Sequence, residues 1–329
     1  MIISRAPVRI SLGGGGTDLA SYYSRFGGFL IYGAIGRYVY IAANARLSRT
    51  IRLSYSQTEN VDNVEAIENR IFREALRMTG IQDSIELVSI SDVPANCGLG
   101  TSGAFTVSLL NALHAYQREY VPLDELAEEA CHLEIERLGE PIGKQDQYAA
   151  TFGGVTTLTF AQDGTVTVKP VALTADCLLE LERRIMLFFT GMTRKSSDIL
   201  QEQSQKTEQN DDQVCESLHA IKEIGHRTLE AFEAGDLDAF GHMLHEHWMM
   251  KKKLSDRVSD AQIDEWYNVA RRNGALGGKI VGAGGGGFLL LYCGSDRERL
   301  RRALEPFGLQ PMPFRFDMEG AKIVANLRV

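Results

Sequence analysis

The chain has 329 residues, 44% of them hydrophobic and 24% charged, which is enough for two domains and a large buried core. A net charge of −8 without a basic arm argues against a nucleic-acid binder, and no apolar run reaches the ~18 residues of a membrane span. Glycine stands out, with 32 residues against 8 prolines, so the excess reflects local needs rather than a Pro/Gly-rich disordered chain.

In chain order, residues 2–12, 29–47, 51–55 and 85–91 carry short β-branched and aromatic runs that predict strands of a mixed sheet. Residues 64–78 have helical spacing ended by Gly80, and two further helices are predicted over 101–117 and 123–138. Strands at 155–160 and 166–168 flank a turn at Asp163-Gly164. After a hinge near 170–182 and a strand at 185–189, long helices are predicted at 211–233 and 236–254, meeting at Gly235-Asp236. A helix at 260–272, strands at 279–282 and 287–293, a helix at 296–305 and a closing strand near 321–328 complete the chain. No internal repeat or low-complexity linker is present, so the expectation is an α+β module over 1–175 and a second over 176–329. The five cysteines are odd in number and never form a C-x-x-C pair, which reads as reduced thiols. The chain starts as a strand rather than a signal peptide, so the expected location is the cytoplasm.

Twelve of the 32 glycines fall in three short segments: four at 13–16, three at 98–103 and five at 282–287. In the second, Pro94 leads to Gly98-Leu99-Gly100-Thr101-Ser102-Gly103 at the start of a predicted helix. Converging backbone N–H groups and a helix N-terminus suit a phosphate there. The same glycines spell G-x-G-x-x-G with Glu119 about 20 residues on, as in a dinucleotide site. That reading fails on context, because Glu119 runs into Pro122 and another helix, leaving no room for the second parallel strand. No Walker A pattern is present either, which leaves a triphosphate cradle of another kind, with Thr101 and Ser102 able to ligate Mg²⁺.

Glu134 falls on the apolar face of the 123–138 helix, where a carboxylate needs a cation or hydrogen-bond partner. Asp146 follows in the glycine-bracketed stretch Gly139–Gln147. At the N-terminus, Arg9 lies on a strand and Asp18 beyond four glycines that permit close approach to a ligand. His242, His245 and His247 read as helix-packing and surface residues, because helix geometry turns His247 away from His245.

Taken together, these segments resemble the GHMP kinases, the family of galactokinase, homoserine, mevalonate and phosphomevalonate kinases. Ala6-Pro7-Val8-Arg9 with Thr17-Asp18 looks like the first family motif, 98–103 the second, and Lys279 through Gly286 the third. Glu134, Gly139, Pro141, Gly143, Asp146 and Gln147 match the intervening run. The resemblance implies a two-domain fold, an N-terminal mixed sheet with helices and a C-terminal ferredoxin-like domain, with the active site in the cleft between them. It implies ATP and Mg²⁺ as cofactors, Ser102 and Glu134 as metal ligands, Asp146 as catalytic base and Arg9 as the cation near the transferred group. Pro94, Gly98, Leu99, Gly100, Thr101, Ser102 and Gly103 are the expected ATP contacts. Asp18, Gly14, Gly15, Gly16, Thr17, Gly284 and Gly285 are expected at the substrate. Gly14, Gly15 and Gly16 replace bulkier galactokinase residues, which suggests a roomier sugar pocket.

Local forms such as Gly-Gly-Gly-Gly-Thr-Asp, Thr190-Gly191-Met-Thr-Arg194 and His247-Trp248 through Lys252 look most like the branch that phosphorylates the anomeric hydroxyl of a heptose 7-phosphate. A sugar phosphate requires a second anion site, for which Lys144, Arg194 and Lys195 are the candidates. A free-sugar kinase of the fucose or galactose type, a mevalonate-type kinase and a non-catalytic ATP-binding regulator remain alternatives. Neither nucleic acid nor membrane is an expected partner, and self-association is left open.

Overall fold

The structure, a computed structural model, describes residues 1–193 and 196–327, so Arg194 and Lys195 lie outside the described residues. The chain opens with β1 (Ile2–Gly13), a short helix α1 (Ala20–Phe26) and the 18-residue β2 (Gly28–Ala45). β1 and β2 pair antiparallel from Ile2↔Ala43 to Gly13↔Ile31. There follow β3 (Ile51–Ser54), β4 (Thr58–Val61), a 3₁₀ turn at Val64–Ala66, α2 (Arg70–Thr79), β5 (Ile85–Ser91) and α3 (Thr101–Gln117). Next come α4 (Leu123–Cys131), a π-helical segment (His132–Arg137), α5 (Gln145–Phe152), β6 (Val155–Phe160) and β7 (Val166–Pro170).

The second half holds α6 (Ala175–Arg184), β8 (Ile185–Phe189), α7 (Ser196–Glu208), α8 (Asp212–Ala234), α9 (Leu237–Lys251) and α10 (Ala261–Arg272). It ends with β9 (Ala275–Ile280), β10 (Phe288–Cys293), α11 (Arg297–Leu304), a 3₁₀ turn, β11 (Gln310–Met312) and β12 (Lys322–Asn326). Among the described residues no helix is long and apolar enough to cross a membrane.

Eight described strands form one sheet in the order β12-β1-β2-β5-β3-β4, with β6 paired to the first half of β2 and β7 paired to β6. Four form a second sheet in the order β11-β8-β10-β9, antiparallel throughout. Numbered along the chain this is 4-1-3-2 with helices in both crossovers, the split βαβ arrangement expected of a ferredoxin-like module. The last strand, β12, leaves that module and pairs with β1 of the first sheet.

Several elements differ from the sequence reading for identifiable reasons. The helix expected over 64–78 begins only at α2, because the Asn69 side chain accepts from the Ile71 and Phe72 N–H groups and starts the helix there. The expected 279–282 strand is β9, four residues earlier, and includes Gly277 and Gly278. A Cβ on Gly277 would lie 2.1 Å from the Gly241 carbonyl of α9, so glycine lets helix and strand close directly on one another. The short elements α1, α5, α6, α7, β4 and β11 were not foreseen.

The two sheets meet through glycine loops. A Cβ on Gly98 would lie 2.5 Å from the Val281 carbonyl, one on Gly282 would lie 2.7 Å from Gly98 Cα, and one on Gly287 would lie 2.1 Å from the Cys97 carbonyl. Gly98, Gly282 and Gly287 also have φ of +83°, +74° and +87°. Backbone therefore packs on backbone where the modules touch, and a cleft opens beside that contact.

Candidate active site

The cleft, with a cavity volume of about 140 Å³, is lined from both modules, by Arg9, Asp18, Gly100, Ser102 and Asp146 on one side and by Lys251 and Lys279 on the other. β1 supplies Arg9, held in register by its own N–H, which donates to the Leu99 carbonyl at 2.9 Å. The guanidinium reaches Asp146 Oδ1 through Nε at 2.8 Å and through Nη2 at 2.6 Å, and Nη1 donates to the Gly98 carbonyl at 2.5 Å. One side chain thus ties the start of α5 to the glycine turn. Asp146 Oδ1 is fully engaged, while Oδ2 has no partner among the described residues.

Gly100 is the N-cap of α3 with φ +77°, and Gly100, Thr101 and Ser102 bring the helix N-terminus, with its unpaired first N–H groups, to the cleft lining. Close approach accounts for the neighbouring glycine. A Cβ on Gly103 would lie 2.7 Å from Asp146 Cβ, and one on Gly100 would lie 3.0 Å from Asp146 Cγ. The absence of side chains there seats the carboxylate directly beside the helix N-terminus.

Ser102, in the first turn of α3, donates to Glu134 Oε1, and Gln147 Nε2 donates to Oε2 at 2.6 Å. Glu134 is only 1% exposed and rides on the π-helical segment, a widened turn of the kind often found at functional sites. Burial, with the Asp146 charge adding to it, pushes its carboxyl up to about 7 against the pull of Ser102 and Gln147. A hydroxyl and a buried carboxylate short of positive charge are hard oxygen donors, and they fit a hard divalent cation. Among the described residues no three His, Cys, Asp or Glu side chains converge to hold a metal by themselves, so remaining ligands would come from phosphate or water.

The tetraglycine turn divides its labour. Gly14 faces away from the cleft, since a Cβ there would lie 2.1 Å from the Phe29 carbonyl, and Gly13 and Gly14 pack on Gly225 of α8. The buried Thr17 hydroxyl lies 2.8 Å from the Gly14 carbonyl and 2.9 Å from that of Phe29, so it anchors the turn. Gly15 and Gly16 do line the cleft. Asp18 accepts from the N–H groups of Gly16 at 3.0 Å and Gln145 at 3.3 Å, and burial together with the Asp146 charge raises its carboxyl above the usual range.

Of the other expected residues, Leu99 is buried behind the loop and Thr101 lines the cleft, its hydroxyl 3.4 Å from the carbonyl of the exposed Pro94. Lys144 is bound to both Glu128 oxygens at 2.9 Å and to the Gly164 carbonyl at 3.1 Å, on the wall of a separate surface hollow. Gly284 and Gly285 pack on Val258, with Gly285 donating to its carbonyl at 2.8 Å.

The sequence reading missed four side chains of this cleft. Ser11 Oγ and Gln145 Nε2 are buried polar atoms without a partner among the described residues, both at the Gly15 end. Lys251 donates to the carbonyls of Ile280, at 2.9 Å, and Gly282. Lys279 lies 3.0 Å from Nδ1 of the buried His247. The only signal for Ser11 was its place two residues after Arg9 on the same strand face.

A helix-capped anion cradle, a carboxylate with one free oxygen and a buried oxygen-donor pair define a site able to hold a polyphosphate beside a group that accepts a proton. The family model "GHMP kinases N terminal domain" matches residues 64–154, and "GHMP kinases C terminal" matches 228–308. D-glycero-alpha-D-manno-heptose 7-phosphate kinase of Campylobacter jejuni is 32% identical, covering 98% of this chain and 98% of that protein. The crystal structure of a D-glycero-D-manno-heptose 1-phosphate kinase from Bacteroides thetaiotaomicron superposes with a TM-score of 0.83 at 28% identity over the whole of both chains. Lactococcus lactis galactokinase shares the fold, with a TM-score of 0.77 at 20% identity over 98% of this chain and 94% of that one. The chain belongs to the GHMP kinase family.

Proposed function

We propose that this chain transfers the γ-phosphoryl group of ATP to the anomeric hydroxyl of D-glycero-D-manno-heptose 7-phosphate, giving the 1,7-bisphosphate for nucleotide-activated heptose synthesis. Full-length similarity to the Campylobacter enzyme supports the substrate. The observation that carries the chemistry is the Arg9–Asp146 pair seated on the glycine turn at the start of α3. On this reading residues 1–175 form the ATP-binding module and 176–329 the second module.

The backbone N–H groups at 98–103 and the N-terminus of α3 receive the phosphate chain. Arg9 fixes Asp146 through Oδ1 and places positive charge beside the transferred group. The free Oδ2 of Asp146 accepts the proton of the attacking hydroxyl. Asp18, Ser11 and Gln145 orient the sugar through its remaining hydroxyls, since the last two bring polar atoms that lack partners among the described residues. Ser102 and Glu134 would hold Mg²⁺, which when bound neutralises charge on the phosphate oxygens.

The test is an ATP-consumption screen with heptose 7-phosphate, unphosphorylated heptose, fucose, galactose and mevalonate, with phosphorus NMR of the product. Turnover with heptose 7-phosphate and a new anomeric phosphate is expected. Higher kcat/KM on a free sugar or on mevalonate would overturn the substrate.

A further inference from the structure

Two charged groups of the cleft have no part in the chemistry above. Lys251 ends α9 and is 8% exposed; Lys279 lies on β9 and is 1% exposed. Burial and the neighbouring positive charge push both amines downward, Lys251 to about 7, and each offers three donors once protonated. Lys251 reaches two carbonyl oxygens and Lys279 reaches His247 Nδ1, so donors remain on both among the described residues. Both side chains line the same cleft as Arg9 and the glycine turn.

Charge makes the arrangement unusual. The groups acting electrostatically on Lys279 are Lys251 and Arg9, and the one acting on Lys251 is Arg9. His247, packed against the pair, is held neutral by burial and by the two lysines. Among the described residues no carboxylate acts on either ammonium, while Asp146 is held by Arg9 and Glu134 by Ser102 and Gln147. Buried amines without a counter-charge are held toward the neutral form, and an anion entering the cleft beside them restores their charge.

The density of positive charge selects the anion. Two ammonium groups beside a guanidinium match a phosphate dianion better than a single carboxylate, and ammonium groups act on phosphate as point charges. Lys144, the described residue expected at a second anion site, is engaged by Glu128 on another wall.

We propose that Lys251 and Lys279, backed by His247, form a phosphate-binding subsite on the second-module wall of the cleft. It receives either the phosphate the sugar already carries or the terminal phosphate of ATP. The naming of those two ligands rests on the proposed function; the subsite itself does not.

Lys251→Met and Lys279→Met in the full chain test it, each checked for folding by circular dichroism, with Lys279→Arg as a charge-preserving control. If the subsite holds the sugar's phosphate, KM for heptose 7-phosphate rises about thirtyfold or more while unphosphorylated heptose is used as by the wild type. If it holds the ATP phosphate, affinity for a non-hydrolysable ATP analogue falls by about the same factor while that for AMP is unchanged. Either result supports the subsite. Inorganic phosphate is the independent probe. It should raise the melting temperature of the wild type and of Lys279→Arg but not of Lys279→Met, whichever sugar proves to be the substrate. Equal protection of wild type and both Met variants, or unchanged constants for both ligands, overturns the proposal. A wild type inactive on heptose 7-phosphate but protected by phosphate through these lysines refutes the substrate and leaves the subsite standing.

Discussion

At Asp146 the two carboxylate oxygens differ, since Arg9 engages Oδ1 twice and leaves Oδ2 open for the proton that the proposed function assigns to it. Asp146→Asn keeps the shape but lacks the carboxylate proposed as the base. It is expected to retain ATP affinity while kcat falls by about 10²- to 10⁴-fold, measured by steady-state kinetics and nucleotide titration. Glu134 is a buried carboxylate with hydroxyl and amide partners. Glu134→Gln removes charge at constant size, so the Mg²⁺ concentration for half-maximal activity should rise by about tenfold or more. An unchanged Mg²⁺ requirement would separate Glu134 from metal binding. Both acids were legible in the sequence, Glu134 from its place on an apolar helix face and Asp146 from the glycines and matched motifs around it. Lys251 and Lys279 were not, because a lysine in a helical basic run or beside a strand gives no sign that its ammonium is buried.

The position of α3 against α5 depends on what Gly103 lacks. Gly103→Ala would put a methyl 2.7 Å from Asp146 Cβ and 2.9 Å from its carbonyl carbon, both on a constrained element. Overpacking of this kind costs about 1–3 kcal/mol, and here the strain is relieved by moving the carboxylate proposed as the base. A melting temperature a few degrees lower with a much larger drop in kcat is the expected pair of readings. A kcat near that of the wild type would show that Asp146 tolerates the shift.

Another element contact joins α2 to the segment bearing Glu134. The buried Glu74 accepts from Arg137 at 2.8 and 3.0 Å and also pairs with Arg77. Burial pushes its carboxyl upward, but hydrogen bonds from Arg137 and Arg77 outweigh that and hold it below the usual 4.5. A depressed native value means that the unfolded chain binds the proton first. This contribution is therefore present above about 4.5 and lost as pH falls through the native value. Glu74→Gln should lower stability at neutral pH and reduce the acid-side slope, read from denaturant melts between neutral pH and about 3. The helix carrying Glu74 was legible from its periodicity, but its start was not, because the Asn69 cap is a side-chain choice that periodicity does not record.

Across the whole molecule, the C-terminal strand links the two modules. β12 pairs with β1 from Ile2↔Asn326 to Arg5↔Lys322, although the residues between β8 and β11 build the second sheet. Just before it, Asp317 accepts from Tyr38 Oη at 2.8 Å and from the Gly320 N–H at 2.7 Å. Removing residues 321–329 would leave the start of β1 as an unpaired edge beside a fully buried Ile2. Lower thermal stability and concentration-dependent aggregation are expected, read by melting curves and light scattering. A truncated chain that melts as the full one does would show that β12 is dispensable to the first sheet.

The sequence by itself determined most of the periodic elements and the location of three glycine segments, because local backbone needs are written in residue type and spacing, while the ferredoxin-like second module was implied by the family resemblance. It also singled out Arg9, Ser102, Glu134 and Asp146, Glu134 from its place on an apolar helix face and the others from the motifs they share with the family. Only the tertiary structure decided which glycines face the cleft. Gly15 and Gly16 line the cleft, whereas Gly14 and Gly285 pack on Phe29 and Val258. It alone placed Lys251 and Lys279 on one wall and Lys144 on another. The physical reason is common to both: burial and charge balance depend on what the rest of the chain brings alongside, not on the residues next in sequence.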